Sequence, residues 1–95
     1  MGDEILGVKR SEILRVAQGH GATHLSVFGS RARSDASPGS DLDLLVELGT
    51  GRDLLDLIAI KQDLEALLGC AVDVVTKAAL SPYLRDQVLR EARPL

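Results

Sequence analysis

The feature that most constrains the fold is a run of three consecutive elements. Asp41 to Leu48 alternates apolar and polar residues, Asp53 to Leu68 repeats apolar residues at helical spacing, and Ala71 to Thr76 is rich in β-branched residues. Strand, helix and strand in that order form a crossover unit, which favours parallel pairing of the two strands. On the first of these strands Leu42, Leu44, Val46 and Leu48 share one face, and Asp41, Asp43, Leu45 and Glu47 the other. The alternation breaks at Leu45, so the second face is expected to be partly covered as well. Gly49-Thr50-Gly51 closes the strand. The helix should present Leu54, Leu57, Ile58, Leu64, Leu67 and Leu68 to a core, with Asp53 and Asp56 in its first turn, where the helix dipole favours them. Gly69 is its stop.

Around this unit the chain supplies three further elements. Ser11 is a candidate cap for a helix through Glu12–Gln18, with Ile13, Leu14 and Ala17 on one face and Gly19 and Gly21 as stops. Thr23 to Phe28 alternates, with Leu25 and Val27 together, and reads as a strand ending in a Gly29-Ser30 turn. Arg31 to Asp35 suits a short helical turn, and Asp35 to Ser40 is a loop by composition. Ser81-Pro82 opens a last helix whose apolar side draws on Tyr83, Leu84, Val88 and Leu89, and Pro94 ends it. The expected fold is α/β (α+β), a small mixed three-stranded sheet with flanking helices. With 95 residues and no linker, residues 1–95 are expected to form one domain.

Composition excludes several functions. Net charge is −3, from 11 basic against 14 acidic residues, which argues against broad binding to a nucleic-acid backbone. Phe28 and Tyr83 are the only aromatics, too few for a base-stacking platform. Cys70 has no partner for an internal disulfide and is expected to pack as a small hydrophobe. No apolar run approaches a membrane span, and the acidic N-terminus lacks the layout of a signal peptide, so a cytoplasmic protein is expected. Met1-Gly2 does not make a myristoylation site, because Leu6 stands where Ser or Thr is needed. His20 and His24 straddle a glycine turn rather than share a helix face, and no third zinc ligand is near them.

The chemistry is carried by carboxylates and a turn. Asp41 and Asp43, spaced by one residue, project from the same face of their strand, and side by side they repel unless a cation or proton lies between them. Magnesium suits such a pair, since it takes hard oxygen ligands and binds through a few carboxylates plus substrate phosphates. Asp73 sits in a run of Val72, Val74 and Val75, where a carboxylate is costly without a partner. If the two parallel strands adjoin, Asp73 joins the face of the aspartate pair, as a third ligand and as acceptor of a hydroxyl proton. Gly29 lets a backbone approach a phosphate closely, Ser30 can donate to it, and Arg33 can reach it with a forked pair of donors, while Arg31 is expected to face solvent. Each piece alone has an ordinary structural reading: a solvated aspartate pair, a plain turn, an edge-strand aspartate. Their order along the chain is the specific signal.

That ordered set, Gly29-Ser30-Arg31-Ala32-Arg33, then Ser40-Asp41-Leu42-Asp43-Leu44, then the lone Asp73, resembles the minimal nucleotidyltransferase domains of the DNA polymerase beta superfamily. Members of this family pair with HEPN-domain toxins in toxin–antitoxin systems. The resemblance spans nearly the whole chain. It implies a polymerase-beta-palm-like fold, with Gly29, Ser30, Arg33 and Ser40 in the nucleotide-binding set and Asp41, Asp43 and Asp73 as catalytic magnesium ligands. It further implies transfer of AMP from ATP to a hydroxyl, in the toxin–antitoxin subgroup a tyrosine of the partner toxin. One departure is Ser34, where the family often has glycine, and a slightly stiffer turn is expected there. The competing expectation is a binding module that neutralises a partner toxin by occlusion alone. A small-molecule nucleotidyltransferase is disfavoured, because the chain carries no acceptor-binding domain.

Overall fold

The computed structural model describes residues 9–29 and 41–95. In chain order it has α1 (Arg10–Gly19), β1 (Ala22–Phe28), β2 (Leu42–Leu48), α2 (Leu54–Leu68), β3 (Val72–Val75), a 3-10 turn (Lys77–Ala79), α3 (Pro82–Glu91) and β4 (Arg93–Pro94). The strands form one sheet in the order β3-β2-β1-β4. β1 is antiparallel to both its neighbours, and β2 and β3 are parallel with α2 as their crossover. The class and the parallel pair are those expected from the sequence.

The sheet has one strand more than expected. Arg93 and Pro94 lie opposite Val27 and Ser26, and the Leu95 N–H donates to the Leu25 carbonyl at 3.0 Å. Two residues are too few to show alternation, and Pro94 reads as a helix terminator. On an edge strand, a proline's missing N–H leaves no ladder bond unmade.

The core lies between one face of the sheet and the helices α1 and α2. Leu25 and Val27 from β1, Leu42, Leu44 and Val46 from β2 and Val72 from β3 meet Ile13 and Ala17 of α1 and Ile60 and Leu64 of α2. Each large aliphatic side chain so buried contributes about 1.5–3 kcal/mol. This burial fixes which residues point away from the core, because a slip of one residue turns every side chain over. Asp43 and Asp73 point away.

The helices refine the expectations. Lys9 stands at the N-cap position of α1 with no side-chain cap, and Ser11 lies inside the helix rather than capping it. Asp53 is outside α2 as its cap: its side chain accepts from Leu55 N–H at 2.9 Å, while Asp56 accepts from Asp53 N–H at 3.0 Å. This reciprocal capping box satisfies two otherwise orphaned donors. Gly69 ends α2 at φ +71°.

The buried face of α2 is centred on Ile60 and Leu64, with Leu57, Leu67 and Leu68 partly covered, whereas Leu54 and Ile58 are exposed. The run Leu54–Ile60 is so rich in apolar residues that several helical rows fit it, so spacing alone picks the wrong row. In α3 the Ser81 cap and Pro82 behave as read from the sequence, but Val88 alone of its apolar residues is buried, and Tyr83, Leu84 and Leu89 are exposed.

Candidate active site

The outward face of the sheet carries the candidate chemistry. In the parallel ladder Asp43 and Asp73 are direct partners, with Leu42 opposite Val72 and Leu44 opposite Val74 on the core side. Neighbouring strands lie about 4.8 Å apart, so the two carboxylates rise side by side from adjacent strands. On the other side of β2, Asp43 is opposite Phe28, the last residue of β1, and Gly29 follows at φ +76°. A Cβ placed on Gly29 would overlap Oδ2 of Asp43. The backbone after β1 and the β2 carboxylate therefore touch, and only glycine meets both the positive φ and the close approach.

These groups line a cleft of about 370 Å³ between the sheet face and α3. Asp43, Asp73 and Gly29 form part of its wall, with Phe28, Val75 and Val88 as apolar surroundings. Val88 is 7% exposed and seats α3 against the sheet. Its helical neighbours Leu84, Gln87 and Glu91 then face the same cleft. Gln87 Nε2 donates to Glu91 Oε1 at 3.4 Å. Glu91 and Gln87 were not legible as site residues. The available signal was their spacing around Val88, which is visible only once Val88 rather than Tyr83 is known to be the buried residue.

The expected site residues divide into three groups. Asp43, Asp73 and Gly29 are brought together. Asp41 stands exposed immediately before β2 and is not part of the cleft wall, although it is anchored close by through the Leu42 N–H to Ala71 carbonyl bond of 2.9 Å. Ser30, Arg33 and Ser40, with Arg31 and the expected helical turn after it, lie outside the described residues.

Among the described residues no group of three His, Cys, Asp or Glu side chains converges as a ready metal cluster. The donor set nonetheless suits a hard divalent cation. The cleft wall offers three carboxylates, Asp43, Asp73 and Glu91, and no lysine or arginine among its described residues. The Gly29 backbone abuts one of them.

A larger cavity, about 610 Å³, opens on the far side of α3 between His24, Leu45, Glu47, Lys77 and Leu89. It contains neither Asp43 nor Asp73, and its one carboxylate, Glu47, is paired with His24 at 3.3 Å. Size does not single out the candidate cleft here; the placement of the acidic groups does. No helix among the described residues is long and apolar enough to cross a membrane.

Comparison with known proteins supplies the family and the fold. The family model "Nucleotidyltransferase domain" matches residues 11–95. A Methanocaldococcus jannaschii protein, provisionally named a protein adenylyltransferase, is 45% identical over 85 residues, covering 90% of each chain. A solved structure provisionally described as a minimal nucleotidyltransferase superposes with a TM-score of 0.86 at 50% identity, covering all of this chain and 97% of that one. One chain of a structure of the tri-AMPylated Shewanella oneidensis HEPN toxin in complex with MNT antitoxin superposes with a TM-score of 0.71 at 20% identity, over 93% of this chain and 69% of that one. At that identity the likeness is one of fold.

Proposed function

The chain belongs to the nucleotidyltransferase domain family, and from that premise we propose that residues 1–95 act as a single domain moving AMP from ATP to a hydroxyl of a partner protein, a tyrosine of a HEPN-domain toxin. Nucleotidyl transfer itself follows from the family. The finer reading is supported chiefly by one observation: Asp43 and Asp73 stand in register on adjacent strands, with the Gly29 backbone against Asp43. The adenylyltransferase name of the archaeal relative and the AMPylated toxin bound to the Shewanella antitoxin point to the same nucleotide and acceptor.

Asp41, Asp43 and Asp73 are the residues that would hold magnesium. When bound, the ion would supply charge neutralisation for the triphosphate and leaving pyrophosphate. The chain's own residues do the rest. Gly29 admits the triphosphate to the backbone, with Ser30, Arg33 and Ser40 contributing donors. The acceptor oxygen attacks the α-phosphorus in line. The bond from that phosphorus to the bridging oxygen of the β-phosphate breaks, and pyrophosphate leaves. The hydroxyl proton passes to the Asp73 carboxylate. As in other phosphoryl transfers, positioning and charge stabilisation supply most of the acceleration.

Leu84, which is 53% exposed and lines the cleft, and Tyr83, 92% exposed on the same helix, offer the surface on which the partner would seat. Cytoplasmic residence is part of this proposal, because ATP and a cytosolic toxin are its substrates. The test is incubation of the protein, α-labelled ATP, magnesium and the co-purified partner. Label is expected on the partner with wild type and absent with Asp41→Asn/Asp43→Asn. An unlabelled partner with wild type, or equal labelling by the double variant, would sink the proposal. A double variant that still protects cells as well as wild type would show that occlusion suffices.

A further inference from the structure

β3 is short and lies at the sheet edge, yet it must deliver Asp73 to a defined place opposite Asp43. Alternation protects it only in part. A slip of one residue would bury Asp73 and expose Val72, which the core resists. A slide of two residues keeps every side chain on its proper face, so alternation does not resist it, and it would carry Asp73 about 6.6 Å along the strand.

A different set of contacts holds β3 against such sliding. The Ala71 carbonyl faces β2, where it accepts from Leu42 N–H at 2.9 Å. The peptide groups of the next residue, Val72, therefore face the outer edge of the sheet. There Glu65 Oε2 accepts from Val72 N–H at 3.1 Å, and Lys61 Nζ donates to the Val72 carbonyl at 2.8 Å. Lys61 and Glu65 are themselves joined at 3.0 Å, one turn apart on α2. Both backbone groups of one residue are thus gripped by a paired cation and anion from the crossover helix. That helix is in turn fixed to the core by Ile60 and Leu64, both fully buried.

We infer that Lys61 and Glu65 are positioning residues for Asp73: their grip on Val72 sets where β3 stands along β2, and hence the separation of the Asp43 and Asp73 carboxylates. The same contacts blunt an open sheet edge, since strand edges are otherwise templates for pairing with another chain. An ion pair serving the edge alone could sit at any point on β3. This one sits on the residue next to Asp73.

The inference rests on the reading of Asp73 as a site residue, and the experiment separates the two. Manganese alone is titrated into the protein and followed by electron paramagnetic resonance, and kcat and KM for ATP are measured with the partner protein. The variants are Glu65→Leu, Lys61→Met, Glu65→Gln, Asp73→Asn and Arg52→Met. Arg52→Met breaks the 3.3 Å Arg52–Asp56 pair at the other end of the same helix and serves as a control. Glu65→Leu and Lys61→Met are expected to weaken manganese binding about tenfold to a hundredfold, the range for residues that orient ligands. They should lower kcat with KM for ATP unchanged. Glu65→Gln keeps an oxygen for Val72 N–H and should restore most of both, and Arg52→Met should match wild type. Wild-type manganese affinity in Glu65→Leu overturns the inference, as does failure of Glu65→Gln to rescue, or an equal loss in Arg52→Met. Should Glu65→Leu not fold, Lys61→Met is judged by the same criteria. If Asp73→Asn itself leaves manganese binding and kcat intact, it is the site reading that fails.

Discussion

The side chain that Gly29 lacks is replaced by the carboxylate of Asp43: a Cβ on the glycine would overlap Oδ2 of the aspartate. One residue comes from the end of β1 and the other from β2, and Phe28 pairs with Asp43 across the ladder. The turn and the carboxylate are therefore one geometric unit. Gly29→Ala is expected to disturb it twice. The φ of +76° costs a residue with a Cβ about 1–2 kcal/mol, and the methyl displaces Asp43. Displacement of about 1 Å at a reacting centre costs about 10²-fold in rate. The expected variant is folded, modestly less stable and at least that much slower in AMP transfer. Thermal denaturation and labelled-ATP turnover check both parts, and near-wild-type turnover would refute the unit.

Asp73→Asn should separate activity from stability. Asp43 and Asp73 are direct ladder partners, and like charges facing each other across strands are destabilising. Neutralising one removes that repulsion and, if Asp73 is the proton acceptor, also removes a contribution of about 10²–10⁴-fold to the rate. A denaturant titration should give equal or higher stability alongside collapsed turnover. A large stability loss would mean that Asp73 holds the fold together rather than the reaction.

The parts of this architecture legible in the sequence were those set by repetition. β2 and α2 run long enough for a period to show and β3 is marked by its β-branched residues, and the order of strand, helix and strand then leaves parallel pairing as the favoured arrangement. Asp73 was legible because a charge in a valine run is conspicuous. The unread parts depend on single contacts between distant residues. β4 exists because Arg93 and Pro94 find β1, which no local pattern announces. Ile60 rather than Ile58 faces the core because of where α2 lies on the sheet, a choice the leucine-rich run leaves open. Glu91 enters the cleft only through the seating of Val88. The Lys61–Glu65 pair looks in sequence like any ion pair one helical turn apart, and its grip on Val72 belongs to the tertiary structure.

Acid should weaken the fold through two named carboxylates. Glu65 is held below the ordinary 4.5, first by the Val72 N–H and then by Lys61. Asp56 is held below 3.8, first by the Asp53 N–H, a pull that slight burial opposes and Arg52 assists. A carboxyl with a depressed folded pKa binds fewer protons in the native than in the unfolded state. Its stabilisation is present above the unfolded pKa and is lost as pH falls through the folded one. Melting temperature should therefore fall on acidification below about 4.5 for Glu65 and below about 3.8 for Asp56. Glu65→Gln and Asp56→Asn should each flatten their part of that fall. An acid slope unchanged in both variants would contradict the assignment.

The contrast between the two ends of α2 gives the sharpest test of the fold. Leu64 is fully buried in the central cluster, whereas Leu55 is 72% exposed, although both are leucines of one helix. Truncating a buried leucine costs the transfer of its methyl groups and also leaves a cavity, together about 2–5 kcal/mol. Truncating an exposed one removes little burial, and surface changes usually stay within about 0.5 kcal/mol. Leu64→Ala is therefore expected to lower the denaturant midpoint severely, and Leu55→Ala hardly at all. The same comparison tests the corrected helical row. Ile60→Val should cost about 0.5–1.5 kcal/mol and Ile58→Val much less. If Ile58 proved the more sensitive, α2 would be rotated about its axis from the orientation described. The Lys61–Glu65 grip on Val72 would then be lost with it, because the same rotation that buries Ile60 turns Lys61 and Glu65 toward β3.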